Sequence, residues 1–391
     1  MNKTLLSLFL AFFSLHNVYA DTVRVATFNV SMEASNYQPK GVSENSAEVL
    51  LSLLESGEHP QIRNIAEIIQ RVAPDIILLN EFDYYADAKP TALSLFVKNY
   101  LNKSQQGQAA IDYPYQYIAP VNTGVATSFD LDNNGEKTGN AGDAYGWGMY
   151  PGQYGMALLS RYPIDVAAVR TFQHFLWRDM PGALEITQPA SGEPWFTPKE
   201  WAAVRLSSKS HWDIPVTIGG KKLHILAMHP TPPTFDGPED RNGKRNHDEI
   251  RLMADYLTPE RAEYIYDDNG EKGGFAGQRF VLVGDFNAAD IGDKHRPGVI
   301  EQLTEHPLVN SSVIPQSEGG SESAEESYSS RFTAYWGARA DYVLPSRKGL
   351  TVQGGGVFWP VKASPLNRLV KDRQSSSDHR LVWMDIVLDE D

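Results

Sequence analysis

Residues 280–290, FVLVGDFNAAD, bring a carboxylate and a carboxamide to the end of a short apolar run. Phe280–Val283 reads as a buried strand, Gly284 ends it, and Asp285 and Asn287 stand two apart, on one side of an extended backbone. Other apolar runs end the same way. The alternating stretch Thr22–Asn29 stops at an amide, and DIILL (75–79) runs into Asn80 and Glu81. Lys222–Met228 delivers His229, and prolines at 230, 232 and 233 forbid the strand to continue. Asp341 precedes the short run Tyr342–Leu344, and Asp378 with His379 precedes Leu381–Leu388. A glutamate leaving a buried strand is costly unless it is paired, hydrogen-bonded or on a metal.

If these strands pack as sheets, their polar ends converge on one rim. The set offers carboxylates and an amide for a hard divalent cation, two histidines, and a further aspartate to orient one of them. No cluster has the His-Glu-x-x-His spacing of a zinc site. Oxygen ligands point to Mg²⁺, Mn²⁺ or Ca²⁺. That chemistry suits phosphoester hydrolysis: a cation and an imidazolium neutralise the phosphate, and a carboxylate positions water.

The rest of the chain must carry these residues. Its first twenty residues have a basic start at Lys3, an apolar stretch Leu5–Leu15 and small residues before Asp21, which reads as a cleaved secretory signal. The expected location is therefore secreted or periplasmic, with no stable membrane span. Residues 21–391 are expected to form one domain, and a monomer. The absence of cysteine excludes thiolate nucleophiles, thiolate metal sites and disulfides. The formal charge of −14 gives no long-range attraction to polyanions. Helices are expected at Ala47–Leu54, Pro60–Val72, from Thr91 to Leu101 and at Glu249–Leu257, the last capped by Asn246 or Asp248. Tyr154–Ser160 and Val166–Thr171 read as a strand pair, and Ala203–Leu206 and Val216–Ile218 as further strands. Ser311–Ser330 reads as a surface loop.

Two long excursions, near 90–153 and 174–215, interrupt the pattern. Asp130, Asp132 and Asn134 before Gly135 resemble the front half of a calcium loop, but Ala141 stands where the closing glutamate belongs. A structural Ca²⁺ held with help from elsewhere, such as Asp143, is one reading, and a polar surface turn is the other. Arg178, Arg241 and Arg245 are candidate substrate contacts, with Lys209 and His211 as weaker ones.

The motifs ATFNV, DIILLNE, GMALLSRYP, HILAMHP, VLVGDFN, RADYVL and SDHRLV occur in this order across nearly the whole chain. Together they resemble the endonuclease/exonuclease/phosphatase family of metal-dependent phosphoesterases. The resemblance implies an α+β fold, a four-layered α/β/β/α sandwich with two mostly antiparallel sheets. It also implies roles. Glu81, with Asn29 and Asp378, would hold Mg²⁺ or Mn²⁺. Asp285 would orient or deprotonate the attacking water, and Asn287 would hold phosphate oxygens. His379, oriented by Asp341, would bind the phosphate. His229 would be the second histidine that deoxyribonuclease-like members carry. The Trp-Cys-Asp-Arg run of inositol 5-phosphatases is absent, with Ala338–Asp341 in its place. The expected partner is a phosphate ester: nucleic acid, nucleotide or phospholipid head group. The competing reading is a catalytically inactive secreted binding module on the same fold.

Overall fold

The structure, a computed structural model, describes residues 22–39 and 46–390. The secretory signal expected at 1–20 lies outside the described residues. Two sheets form the centre. The first, six-stranded, contains β1 (Val23–Met32), β2 (Ile76–Phe82), β3 (Tyr115–Ile118), β4 (Met156–Ser160), β10 (Leu350–Val357) and β11 (Val382–Leu388), in the order β10-β11-β1-β2-β4-β3. The second, five-stranded, runs β5 (Arg170–Thr171), β6 (His211–Ile218), β7 (Lys221–Met228), β8 (Phe280–Asp285), β9 (Asp341–Pro345) in sequence order.

Period-two alternation decides which side chains go where. Val23, Val25, Ile76 and Leu78 point between the sheets and meet Ile225, Ala227, Val281 and Val283 of the second sheet. Their neighbours Ala26, Phe28, Ile77 and Leu79 point outward, under α1 (Ser46–Ser56) and α2 (Pro60–Val72). Leu226, Met228 and Leu282 point to the opposite outside, under a long helix at Arg241–Tyr256. Three apolar layers therefore separate four layers of structure, the α/β/β/α sandwich expected.

In helix α2, Ile62, Ile65, Ile68 and Ile69 form the buried stripe, with Pro60 at the first helical position. Left-handed Ala73 caps its end by donating its N–H to the Ile69 carbonyl. Next come α3 (Ala92–Phe96), which passes into a π turn at Val97–Leu101, and the short α4 (Pro198–Trp201). The Arg241–Tyr256 helix is α5.

Each sheet is antiparallel except for one pair at its middle. β1 runs parallel to β2, and β7 parallel to β8. Parallel neighbours finish on the same side. The two pairs thus bring Asn29, Glu81, His229 and Asp285 to one rim of the sandwich. β9 and β11 run the other way, against β8 and β1, so the residues at or just before their starts reach that rim too. That is why Asp341 and Asp378–His379 precede their strands while the others follow theirs.

Several local expectations are corrected. Val166–Thr171 does not pair with β4: only Arg170–Thr171 is a strand, and it joins β6 in the other sheet. The chain crosses between sheets after β4, where Pro163 cannot supply a ladder N–H. Ala203–Leu206 is a turn with a single bridge, Leu176 to Arg205. Helix α5 begins eight residues before the expected Glu249, at Arg241, with Asp240 rather than Asn246 or Asp248 at its N-cap. The polar run there is a helix whose Asn246, Asp248 and Glu249 are fully buried.

Candidate active site

At the rim, Asp285 is the meeting point. Its Oδ2 accepts a hydrogen bond from Asn29 Nδ2 at 3.1 Å, and His229 Nε2 and His379 Nε2 each stand 3.5 Å from it. β1 and the segment before β11 of one sheet, and the end of β7 of the other, converge on this one oxygen at the end of β8. Its backbone is held as well, because Asp285 N–H donates to Asn80 Oδ1, itself bonded by Thr27. Asn287 does not follow as part of an extended strand. It lies in the left-handed region at φ 51°, its N–H caps Asp285 Oδ1, and its side-chain amide donates to the Pro230 carbonyl. It still lines the same cavity as Asp285.

His379 Nδ1 is 2.8 Å from Asp341 Oδ2, and that oxygen also accepts from Thr333 Oγ1 at 2.7 Å. Thr333 Oγ1 in turn accepts the N–H groups of Ala340 and Asp341. The pair is thus locked in orientation. Burial opposes a charge on His379, but Asp341 and Asp285 overcome it and push the imidazole up to about 10. Burial, against the pull of His379, pushes the Asp285 carboxyl up to about 7. His229 moves the other way: burial, Lys209 and His379 hold its pKa well below the ordinary histidine range. One histidine is therefore cationic at neutral pH and the other neutral. His229 Nδ1 is buried without a hydrogen-bond partner.

Glu81 and Asp378 lie in a second corner of the cavity. They are bridged by Arg373, whose guanidinium stands 3.6 Å from Glu81 and 3.5 Å from Asp378, and which donates to Glu33 at 2.9 Å. Ser31 Oγ donates to Asp378 at 3.0 Å. Glu33, at the end of β1, is only 2% exposed. Burial and Glu81 drive its pKa well up. Neither Glu33 Oε2 nor Glu81 Oε2 finds a hydrogen-bond donor, although both are buried. Once ionised, the three carboxylates face one guanidinium and leave the charge of one divalent cation unmatched. Hard oxygen donors with unsatisfied lone pairs fit Mg²⁺ or Mn²⁺. Glu81 and Asp378 would hold it, with the Asn29 side-chain oxygen as a further donor.

Lys209 lines the cavity with its side chain buried, its pKa lowered by burial against the pull of Glu249, Glu81 and Asp285. Arg241 lines it too, its guanidinium 5.4 Å above the Trp195 ring. Arg245 borders the cavity, but its guanidinium is spent on the carbonyls of Leu206, Tyr145 and Arg205, which makes it a brace for the wall. Arg178 does not line the cavity and stands beside Asp179 in a surface turn. His211 is not a substrate contact. It is buried in β6 between Ser207 Oγ and the Glu249 carbonyl.

The excursion 90–153 contributes a carboxylate cluster. Asp130, Asp132 and Asp143 each offer an oxygen within 4.8 Å of the others. The side-chain oxygen of Asn134 accepts the Glu136 N–H.

Sequence reasoning passed over Glu33 and Arg373. Glu33 left a signal, an acid directly after the apolar β1. Arg373, in a polar loop, left none.

The family model "Endonuclease/Exonuclease/phosphatase family" matches residues 26–379. The chain belongs to this family. Membership suggests metal-dependent phosphoesterase activity. No curated protein matches the sequence. Among solved structures, the human nocturnin catalytic domain with bound sulfate is 14% identical, covers 94% of this chain and 94% of its own, and has a TM-score of 0.46. Sphingomyelinase C from Streptomyces griseocarneus is 13% identical, with 93% and 99% covered and a TM-score of 0.47. A Staphylococcus aureus beta toxin with bound magnesium ions is 12% identical, with 94% and 100% covered and a TM-score of 0.44. Among the described residues, no helix is long and apolar enough to cross a membrane.

Proposed function

We propose that this protein is an exported, divalent-metal-dependent phosphoesterase that hydrolyses a phosphodiester or phosphomonoester in the cavity at the sandwich rim. The observation that carries this reading is the single oxygen of Asp285, approached together by Asn29, His229 and His379. A carboxylate so placed can orient a water and take its proton, with Asn29 fixing the carboxylate. Cationic His379, held by Asp341, binds a non-bridging phosphate oxygen and stabilises the charge that develops there. Lys209 lines the same cavity. Neutral His229 faces the same point. The negative charge of a bound phosphate raises its proton affinity, which suits it to protonate a leaving alkoxide. Glu81, Asp378 and Asn29 would hold a divalent cation, which would supply Lewis-acid polarisation of the phosphoryl group.

A structural Ca²⁺ at Asp130, Asp132 and Asp143 belongs to the same proposal, as a clamp on the cavity wall, because Asp132 lines the cavity.

The test offers the purified protein bis-p-nitrophenyl phosphate, p-nitrophenyl phosphate, plasmid DNA and sphingomyelin, with EDTA and then Mg²⁺, Mn²⁺ or Ca²⁺. Metal-restored cleavage of one ester class supports the reading and assigns diester or monoester. Intact substrates throughout, with metal bound and the protein folded, move the reading to a binding module.

A further inference from the structure

We propose that the cavity mouth is an aromatic collar that stacks on a flat, unsaturated group esterified to the phosphate. The ligand class is a nucleotide or short single-stranded nucleic acid end, not duplex DNA or an acyl lipid. This deepens the proposed function and rests on it. Among the described residues, five large aromatic side chains are exposed, and four of them (Trp147, Phe235, Tyr335 and Trp336) line this one cavity. Exposed apolar side chains gathered in one place mark a binding surface, and these four line a cavity rather than a flat face. The four are 55%, 85%, 64% and 37% exposed.

The collar is tied to the chemistry. The Trp336 ring stands edge-on to His379, with centroids 4.7 Å apart, and Tyr335 meets Trp336 at 5.8 Å. Trp147, with Tyr154 at 6.2 Å, comes from the 90–153 excursion. The inserted segment and the loop before β9 thus supply plates to one cavity of about 1090 Å³, a size that encloses a small organic ligand. Lys294 lines it as well, 3.5 Å from Asp293, while Arg296 is held by Asp240 and braces the wall.

The chemistry of the collar selects among ligands. Rings offer flat faces to flat partners, and base–aromatic stacking tolerates every base. Among the described residues, no large exposed aliphatic side chain joins the collar: Val166 and Ile291 are exposed but do not line the cavity. A duplex keeps the faces of its bases stacked on one another and shows only their edges in its grooves. A mononucleotide or a strand end leaves a face free.

The experiment compares two esters with one leaving group, thymidine 5′-(p-nitrophenyl phosphate) and methyl p-nitrophenyl phosphate, in Mn²⁺ or Mg²⁺. The thymidine ester is expected to have the higher kcat/KM, roughly 5- to 150-fold, the range that one stacked base is worth. Trp147→Ala and Tyr335→Ala should move that ratio toward one, and Trp147→Phe should keep most of it. Equal kcat/KM for the two esters, or a ratio unchanged in both alanine variants, overturns the collar. A tryptophan blue shift on phosphatidylcholine vesicles, with no quenching by thymidylate, also overturns it and makes the patch a membrane anchor. Thymidylate quenching in Asp285→Asn separates the two proposals. Quenching with no ester hydrolysed by the parent protein leaves the collar standing and removes the reaction.

Discussion

The two corners of the cavity are built from similar residues and are set up for different tasks. Around Asp285, an amide and two imidazoles converge on one oxygen, and the nearby acid, Asp341, is held on His379. Around Glu81, the neighbours are acids, Glu33 and Asp378, and one guanidinium spans all three. The first corner is nearly balanced in charge and can hold or move a proton. The second gathers three carboxyl groups around one guanidinium and leaves two of their oxygens without a hydrogen-bond donor. A carboxylate's task is thus set by the sign of what surrounds it, more than by its place at a strand end, which the two share.

The largest expected effect lies in the donor corner. Asp285→Ala and His379→Ala should each lower kcat by roughly 10²–10⁴-fold, the usual worth of a positioned acid or base, with the fold kept by circular dichroism. Added metal should not restore either. Near-parental turnover in both variants would erase the distinction between the corners.

The acid corner should respond to metal instead. Glu81→Gln and Glu33→Gln should weaken Mn²⁺ binding, read by isothermal titration, by at least the roughly 10–100-fold that outer partners of a metal site contribute. Excess Mn²⁺ should recover much of the lost activity. Arg373→Met should do the opposite: a larger rise in melting temperature on adding Mn²⁺, because the competing guanidinium is gone. Unchanged Mn²⁺ affinity in all three variants would remove the cation from this corner.

A third prediction concerns β6, the strand beside β7 in the donor corner's sheet. His211 is buried, its pKa lowered to about 4 by burial. Unfolding returns it to the ordinary histidine value of about 6.5, so the unfolded chain binds more protons between those limits. Its stabilisation is complete above the unfolded pKa and is lost as pH falls through the window, down to the folded value. The loss is about 3 kcal/mol by pH 4. His211→Gln should start less stable and fall less steeply over this range in urea melts. Parallel curves for the two proteins would contradict the assignment.

The smallest expected effect is at the calcium loop. Ca²⁺ should raise the melting temperature of the parent by a few degrees and leave Asp130→Asn/Asp132→Asn unchanged, while metal-free melting stays similar. No calcium effect in the parent ends the reading.

How legible these regions were in the sequence follows the same division. Buried strands announce themselves by apolar runs, so a polar residue at their ends stands out. That made Asn29, Glu81, His229, Asp285 and His379 visible, along with the layers that carry them. The acid corner was half visible. Arg373 sits in a polar loop whose neighbours give no pattern. Glu33 read as loop because β1 runs past Asn29, through a bulge at Ser31, before the acid. Helix α5 was misread because its polar residues looked solvated, whereas buried Asp248 and Glu249 tie down Trp177, Leu184, Ser208 and Thr231. Polar side chains that brace loops look, in sequence, like polar side chains facing water.

The most direct test of the division is metal dependence of turnover on one simple diester. The protein is stripped with EDTA, offered bis-p-nitrophenyl phosphate, and titrated with Mg²⁺ or Mn²⁺. The account predicts no hydrolysis before metal, saturable recovery with it, a shifted metal dependence for Glu33→Gln, and no recovery for Asp285→Ala. Hydrolysis that ignores EDTA, or recovery in Asp285→Ala equal to the parent, would contradict it.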